Sequence, residues 1–193
     1  MKLSALLFFA SLALLAVPAR ADVLADFTAD YQPQTPKAGW KYQWNTGSVT
    51  NPDKYQALIW NEGVDAYTVT STFPDKNGTW YLRIGGGYHH PGPQKDSGPL
   101  FAIASYTLQR GQEGRIAITK SNINRTDTSA TGSLKVAILV NDKIIKEFTV
   151  SDKATFDNDL GELQDGDVVS VAVGPDGSDA YDAFKLDFVL NRG

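Results

Sequence analysis

Hydrophobic and polar residues alternate along most of this chain, and no stretch beyond residue 21 keeps a 3.6-residue apolar repeat for three turns. A period of two belongs to strands that bury one face and expose the other. Trp40, Tyr42 and Trp44 share one side of GWKYQWN, and Leu134, Val136, Ile138 and Val140 share one side of LKVAILV. Val169, Val171 and Val173 line one face of a valine-rich run, and Phe184, Leu186, Phe188 and Leu190 alternate strictly near the end. Clusters of Gly, Pro, Asn and Asp separate these runs. The pattern predicts roughly ten strands with turns at the spacing of an all-β sandwich. Asp22 to Asp30 reads as an edge strand through Val23, Ala25 and Phe27. Asn141-Asp142 reads as a two-residue hairpin, and Lys153 to Leu160 as a strand with Ala154 and Phe156 inward.

The stretch from Thr79 to Leu108 organises the rest. Trp80, Leu82 and Ile84 fall on one side of an extended segment, with Tyr81 and Arg83 on the other. Gly85-Gly86-Gly87 then removes three side chains in a row before Tyr88-His89-His90-Pro91-Gly92-Pro93 restores bulk. Each proline fixes φ and keeps its predecessor extended. The expectation is a rigid loop presenting Tyr88, His89 and His90 on a β framework, between two flanking strands.

Composition narrows the class. Lys2, an apolar run from Leu6 to Val17 and the small residues of Ala19-Arg20-Ala21 predict a signal peptide over residues 1–21. That run is shorter than the ~20 residues a bilayer span needs, so the expectation is an exported chain, secreted or periplasmic, with no membrane span. Residues 22–193 are then expected to form one domain, long enough to bury a core without staples, and there is no cysteine to form any. Without Lys2 and Arg20 the 18 basic residues become 16 against 22 acidic ones, a net charge of −6. With no basic run, this balance argues against a nucleic-acid partner. Only Glu62, Glu113, Glu147 and Glu162 among the acids are glutamates. Aspartate favours turns over helix interiors, which again points to a loop-rich β protein.

The order GWKYQW, HHPG, LKVAILVN, GDVVSVAVGPDG, then Asp182 and KLDFVL resembles galactose-binding-like jelly-roll domains. Such domains are often attached to, or encoded beside, bacterial polysaccharide-degrading enzymes. The resemblance spans most of residues 22–193 and implies an antiparallel jelly-roll sandwich that binds poly- or oligosaccharides. By analogy with related jelly rolls it also implies a structural calcium ion held by Asp26 and Asp187 near paired terminal strands.

Candidate chemistry lies in the aromatics and histidines. Sugars present CH-rich faces that pack on exposed rings. Trp44 and Trp60, at strand ends beside Asn45 and Asn61, are the expected binding tryptophans, whereas Trp40 and Trp80 are expected in the core. With Tyr88, His89 and His90 they make the predicted carbohydrate contact set. Adjacent histidines on an extended chain point to opposite faces, which disfavours a shared metal ion. Asp176, Asp179 and Asp182 miss the EF-hand spacing and read as turn formers. No G-x-S-x-G, H-E-x-x-H or phosphate loop occurs. The leading expectation is a non-catalytic carbohydrate-binding domain with no catalytic residue. Two alternatives stay open: a polysaccharide lyase using Tyr88 or His90 as base and Arg83 or Lys120 against a uronate, and a structural envelope or adhesion domain.

Overall fold

Strands form where the period-two pattern runs, and a computed structural model describes residues 21–45, 48–70, 81–92, 94–95, 98–126, 132–177 and 182–193. Residues 1–20 of the predicted signal segment, Trp80 and Asp179 lie outside the described residues. In chain order, β1 (Asp22–Asp26), β2 (Trp40–Asn45), β3 (Tyr55–Ala57), β4 (Ile59–Asn61) and β5 (Ala66–Thr68) come first. The Gly- and Pro-rich centre carries short strands, β6 (Arg83–Gly85), β7 (His89–His90), β8 (Gln94–Lys95) and β9 (Gly98–Pro99). Then follow β10 (Ala102–Thr107), β11 (Gly114–Arg125), β12 (Ser133–Val140) and β13 (Lys143–Val150). Last come β14 (Lys153–Ala154), β15 (Asn158–Leu163), β16 (Val168–Asp176) and β17 (Phe184–Arg192).

Two antiparallel sheets pack as a jelly-roll type sandwich. A nine-stranded sheet runs β14-β11-β17-β7-β6-β5-β4, with β1 also on β17 and β15 also on β11. A six-stranded sheet runs β13-β12-β16-β10-β2-β3. β17 is long enough to serve two partners on one edge. Its Val189–Arg192 end pairs with β1, and Phe184 pairs with His89 of β7. The expected edge strand at Asp22 is present, but its register shifts between Val23 and Ala25. The shift buries Ala25 and Phe27 while leaving Val23 in solvent.

Between the sheets the alternating residues interleave as the pattern predicts. Trp40 and Tyr42 of β2, Leu134, Val136 and Ile138 of β12, Val169, Val171 and Val173 of β16 and Phe184 to Leu190 of β17 enter one core. Phe27 stacks on Phe188 at 5.2 Å, and Trp40 meets Phe27 edge-on at 5.6 Å. The predicted Lys153–Leu160 strand divides into β14 and β15, with Phe156 fully buried at the break. The Asn141-Asp142 hairpin forms, and Asn141 takes φ +57°, the left-handed conformation that Asn tolerates better than most residues.

One departure concerns the outward face of the six-stranded sheet. Phe101 just before β10, Ile103 of β10, Ala137 and Leu139 of β12, and Ala172 of β16 point away from the main core yet are buried. The segment from Ser48 to Tyr55 crosses over them and contributes Val49 and Tyr55 to a second small core. A second departure concerns the centre of the chain. The strands on either side of the Gly/Pro stretch do not pair with each other: β6 and β7 belong to the nine-stranded sheet and β10 to the six-stranded one. Pro91 and Pro99 cannot donate to a ladder, and between β7 and β10 the chain leaves the nine-stranded sheet, forms the separate two-stranded β8-β9 sheet and enters the six-stranded one.

Candidate functional site

The short strands β4 to β7 place two neighbouring rows of residues on opposite faces of the nine-stranded sheet. In one row Trp60 pairs with Tyr67, Tyr67 with Ile84, Ile84 with His89 and His89 with Phe184. In the other, one residue along, Ile59 pairs with Thr68, Thr68 with Arg83 and Arg83 with His90. Directly opposed residues share a face, and a step of one residue changes it. The first row enters the core and the second faces outward.

His89 therefore sits inside. It is 1% exposed, its ring lies 5.4 Å from Phe27 and 5.3 Å from Phe184, and neither ring nitrogen has a hydrogen-bond partner among the described residues. Burial, helped by the positive charge of Arg83, pushes its pKa down to about 3, so the imidazole is neutral at physiological pH. The expectation that His89 contacts a saccharide is corrected: strand alternation turns it into the apolar interior. Trp44 and Trp60 also pack against the main core, each half-buried. Trp60 meets Tyr67 edge-on at 5.3 Å, and its indole N–H is buried. The asparagines beside them build local structure. Asn45 accepts from the Phe101 N–H at 2.6 Å and donates to the Pro99 carbonyl, and Asn61 accepts from the Gly63 N–H and donates to the Thr70 carbonyl.

Tyr88 and His90 lie on the outward face. Tyr88 is 40% exposed, and the Arg83 guanidinium carbon stands 4.2 Å from its ring centroid. His90 is mostly buried, with Nδ1 2.5 Å from the Pro91 carbonyl oxygen and its ring 5.6 Å from that of Tyr81. Tyr81 is 45% exposed and Ile59, along the same row, 44%. Thus three of the six exposed large hydrophobic side chains among the described residues share a face with Arg83. Such grouping, unlike scattered surface apolar residues, makes this face the candidate site.

Beside this face opens a cleft of about 390 Å³, lined by Val64, Asp65, Ala66, Arg83, Gly85, Gly86, Gly87 and Tyr88. The glycines keep it open. A Cβ on Gly85 would stand 2.8 Å from the Tyr88 carbonyl oxygen, so this position requires glycine for the β6–β7 turn to close. Asp65 holds φ +51° at the end of the Asn61–Asp65 turn. Neither Arg83 nor Asp65 takes part in any ion pair among the described residues. In the sequence, this face is signalled by the placement of Tyr81 and Arg83 opposite Leu82 and Ile84. Ile59 and Asp65 carry no comparable signal, because only the pairing of β4, β5 and β6 brings them to Arg83.

The two aspartates of the expected calcium site both face the turn after β1. Asp26 accepts from the Ala29 N–H at 2.8 Å and Asp187 accepts from the Thr28 hydroxyl at 2.8 Å, so each carboxylate serves the Asp26–Asp30 turn. Among the described residues no three His, Cys, Asp or Glu side chains come together as a metal site. Asp182 has a different role: with 0% of its side chain exposed, it faces Arg125 Nη2 at 3.4 Å, and Arg125 also donates to the Gly132 and Ser151 carbonyls.

No protein-family model matches the chain, and no curated protein matches it. Among solved structures, the chain is similar to an isomaltodextranase of Arthrobacter globiformis T6 complexed with panose. That match has 15% identity and a TM-score of 0.33, covering 81% of this chain and 24% of the other, so the chain spans about a quarter of that protein. It is also similar to a family 35 carbohydrate-binding module from an environmental isolate, at 17% identity and a TM-score of 0.28, over 50% of this chain and 77% of the module. The sandwich assignment rests on the strand pairing itself.

Proposed function

We propose that this chain is an exported, non-catalytic saccharide-binding domain, and that its ligand lies on the outward face formed by Tyr81, Tyr88 and Ile59. The observation that carries this reading is the exposure of two tyrosine rings and an isoleucine around one guanidinium, beside a glycine-lined cleft. A pyranose ring has an apolar CH face suited to a tyrosine ring and hydroxyls suited to Arg83 and Asp65. A face this open buries little of a ligand and exchanges water for each polar contact, so affinity is modest. Export is supported by the signal-like residues 1–21. Relative to the sequence expectation, the proposed site keeps Tyr88 and His90 and adds Tyr81, Ile59, Arg83 and Asp65, while Trp60 and His89 lie on the inward row of the same sheet and Trp44 packs on the core from the six-stranded sheet.

The test is a broad glycan array probed with residues 22–193, followed by calorimetry on any hit. Silence across the panel overturns the reading. The lyase alternative retains one specific support, the proximity of Arg83 to Tyr88. In that pair the cation covers the ring face, which is the arrangement of a stacking platform rather than of a base beside its counter-charge. Incubation with uronate polysaccharides, followed through the ultraviolet absorbance of unsaturated products, separates the two readings. Product formation would replace the binding domain with an enzyme.

A further inference from the structure

We infer that the saccharide taken by this face carries an anionic substituent, a carboxylate or a sulfate ester, seated on Arg83. The inference rests on the saccharide-binding reading above and adds the charge of the ligand to it.

Two arginines of the chain stand in contrast. Arg125 is buried and supplied from within: Asp182 faces one end of the guanidinium, and the Gly132 and Ser151 carbonyls accept from another nitrogen. Arg83 is half-buried and not supplied in this way. Both arginines have a buried Nε without a hydrogen-bond partner among the described residues, but Arg83 is in no ion pair among them, and the group beside its charge is the face of the Tyr88 ring. A stacked ring engages the flat face of a guanidinium and leaves the in-plane N–H donors unused. Those donors form a rigid planar fork that matches the two oxygens of a carboxylate or sulfate. A neutral hydroxyl would satisfy one donor and leave the charge unmatched in a partly desolvated place.

The cleft supports the same polarity. Gly85, Gly86 and Gly87 contribute no side chain to its wall, and a Cβ at Gly87 would touch nothing, so a ligand has room beside Arg83. Asp65 also lines the cleft and is in no ion pair among the described residues. It repels a second negative group and accepts hydroxyls, which directs the anion to Arg83 and the sugar hydroxyls to Asp65. The chain as a whole carries a net charge of −4 and no basic run, so the attraction is a local match and not a general affinity for polyanions.

The test uses matched probes that differ in charge. Residues 22–193 are titrated calorimetrically, at low and at near-physiological salt, with oligogalacturonate against its methyl ester and with dextran sulfate oligomers against dextran oligomers. The expected result is binding of one acidic member about tenfold or more tighter than its neutral partner. That preference should shrink as salt rises. The oligogalacturonate pair reports on a carboxylate and the dextran pair on a sulfate. In Arg83→Gln the ratio of acidic to neutral affinity falls to about one, and in Arg83→Lys part of it survives, because the charge is kept and the fork is lost. Circular dichroism confirms the fold of each variant, and if either unfolds, the salt dependence of the natural chain reads the same preference without it. Equal affinities within both pairs, with some glycan bound, overturn the inference and leave the saccharide reading standing. No binding to these probes or to any glycan on the array removes both.

Discussion

The two sheets treat their outward faces differently. On the six-stranded sheet the outward apolar residues Phe101, Ile103, Ala137, Leu139 and Ala172 are buried because the segment at residues 48–55 lays Val49 and Tyr55 over them, and only at the β13 edge does an outward apolar residue of this sheet, Ile144, stay 40% exposed among the described residues. On the nine-stranded sheet Ile59, Tyr81 and Tyr88 stay 40–45% exposed, and Arg83 among them has no ion-pair partner among the described residues. Burying apolar surface is favourable at about 25 cal/mol per Å², and this chain covers such surface where stability is served. The partly uncovered face around Arg83 is the one proposed above to take a ligand.

The largest expected effect is a break in the covered face. Ile103→Ala removes a fully buried side chain beneath the 48–55 segment and costs about 2–5 kcal/mol, read from urea unfolding. A cost near that of a surface substitution would mean the second core contributes nothing and would dissolve the contrast between the faces.

The inner row offers the next test, through pH. The unfolded chain binds a proton at His89 near pH 6.5, whereas the folded one does so only near pH 3, so stability falls as pH drops between those values. The slope approaches about 1.4 kcal/mol per pH unit. His89→Phe removes that slope, and comparing its urea midpoints with those of the natural chain between pH 6.5 and about 4 isolates it. Asp157, whose pKa is lowered chiefly by the Ser121 hydroxyl and N–H, loses its stabilising ionisation only below pH 3.8, outside that window. Parallel pH profiles would show that His89 is solvated and not in the core.

These rows also show how far the sequence can be read. Tyr42, Ile138, Val171 and Phe188 follow from alternation alone, since each lies on a strand with one clear apolar side. The opposite faces of His89 and His90 are implicit in the same rule. The choice of inward histidine is not, because it depends on pairing with Ile84 and Phe184. The polar neighbours of Trp44 and Trp60 have structural partners: Asn45 binds backbone groups of the distant Pro99–Phe101 segment and Asn61 those of its own turn and of Thr70, a use of Asn that sequence does not distinguish from ligand recognition. The burial of Ala137 and Leu139 is hidden for a similar reason, because a covering segment far away in the chain supplies it.

A smaller effect separates two glycines two residues apart. Gly85→Ala forces its methyl group against the Tyr88 carbonyl and is expected to cost about 1–3 kcal/mol while weakening ligand binding. Gly87→Ala meets no neighbour within 4 Å and is expected to leave the fold as stable as before within about 0.5 kcal/mol. Equal effects in unfolding experiments would deny the role of Gly85 in closing the β6–β7 turn.

The smallest effect on stability accompanies the most direct test of the binding face. Tyr81→Ala with Tyr88→Ala removes two exposed rings, and each is expected to cost less than about 1 kcal/mol in urea unfolding. The decisive measurement is calorimetry of this double variant against the natural chain, using the strongest glycan from the array. The expected result is at least about a tenfold loss of affinity in a variant whose unfolding midpoint has barely moved. Undiminished binding by the folded double variant would contradict a saccharide site on this face and place it elsewhere on the sandwich.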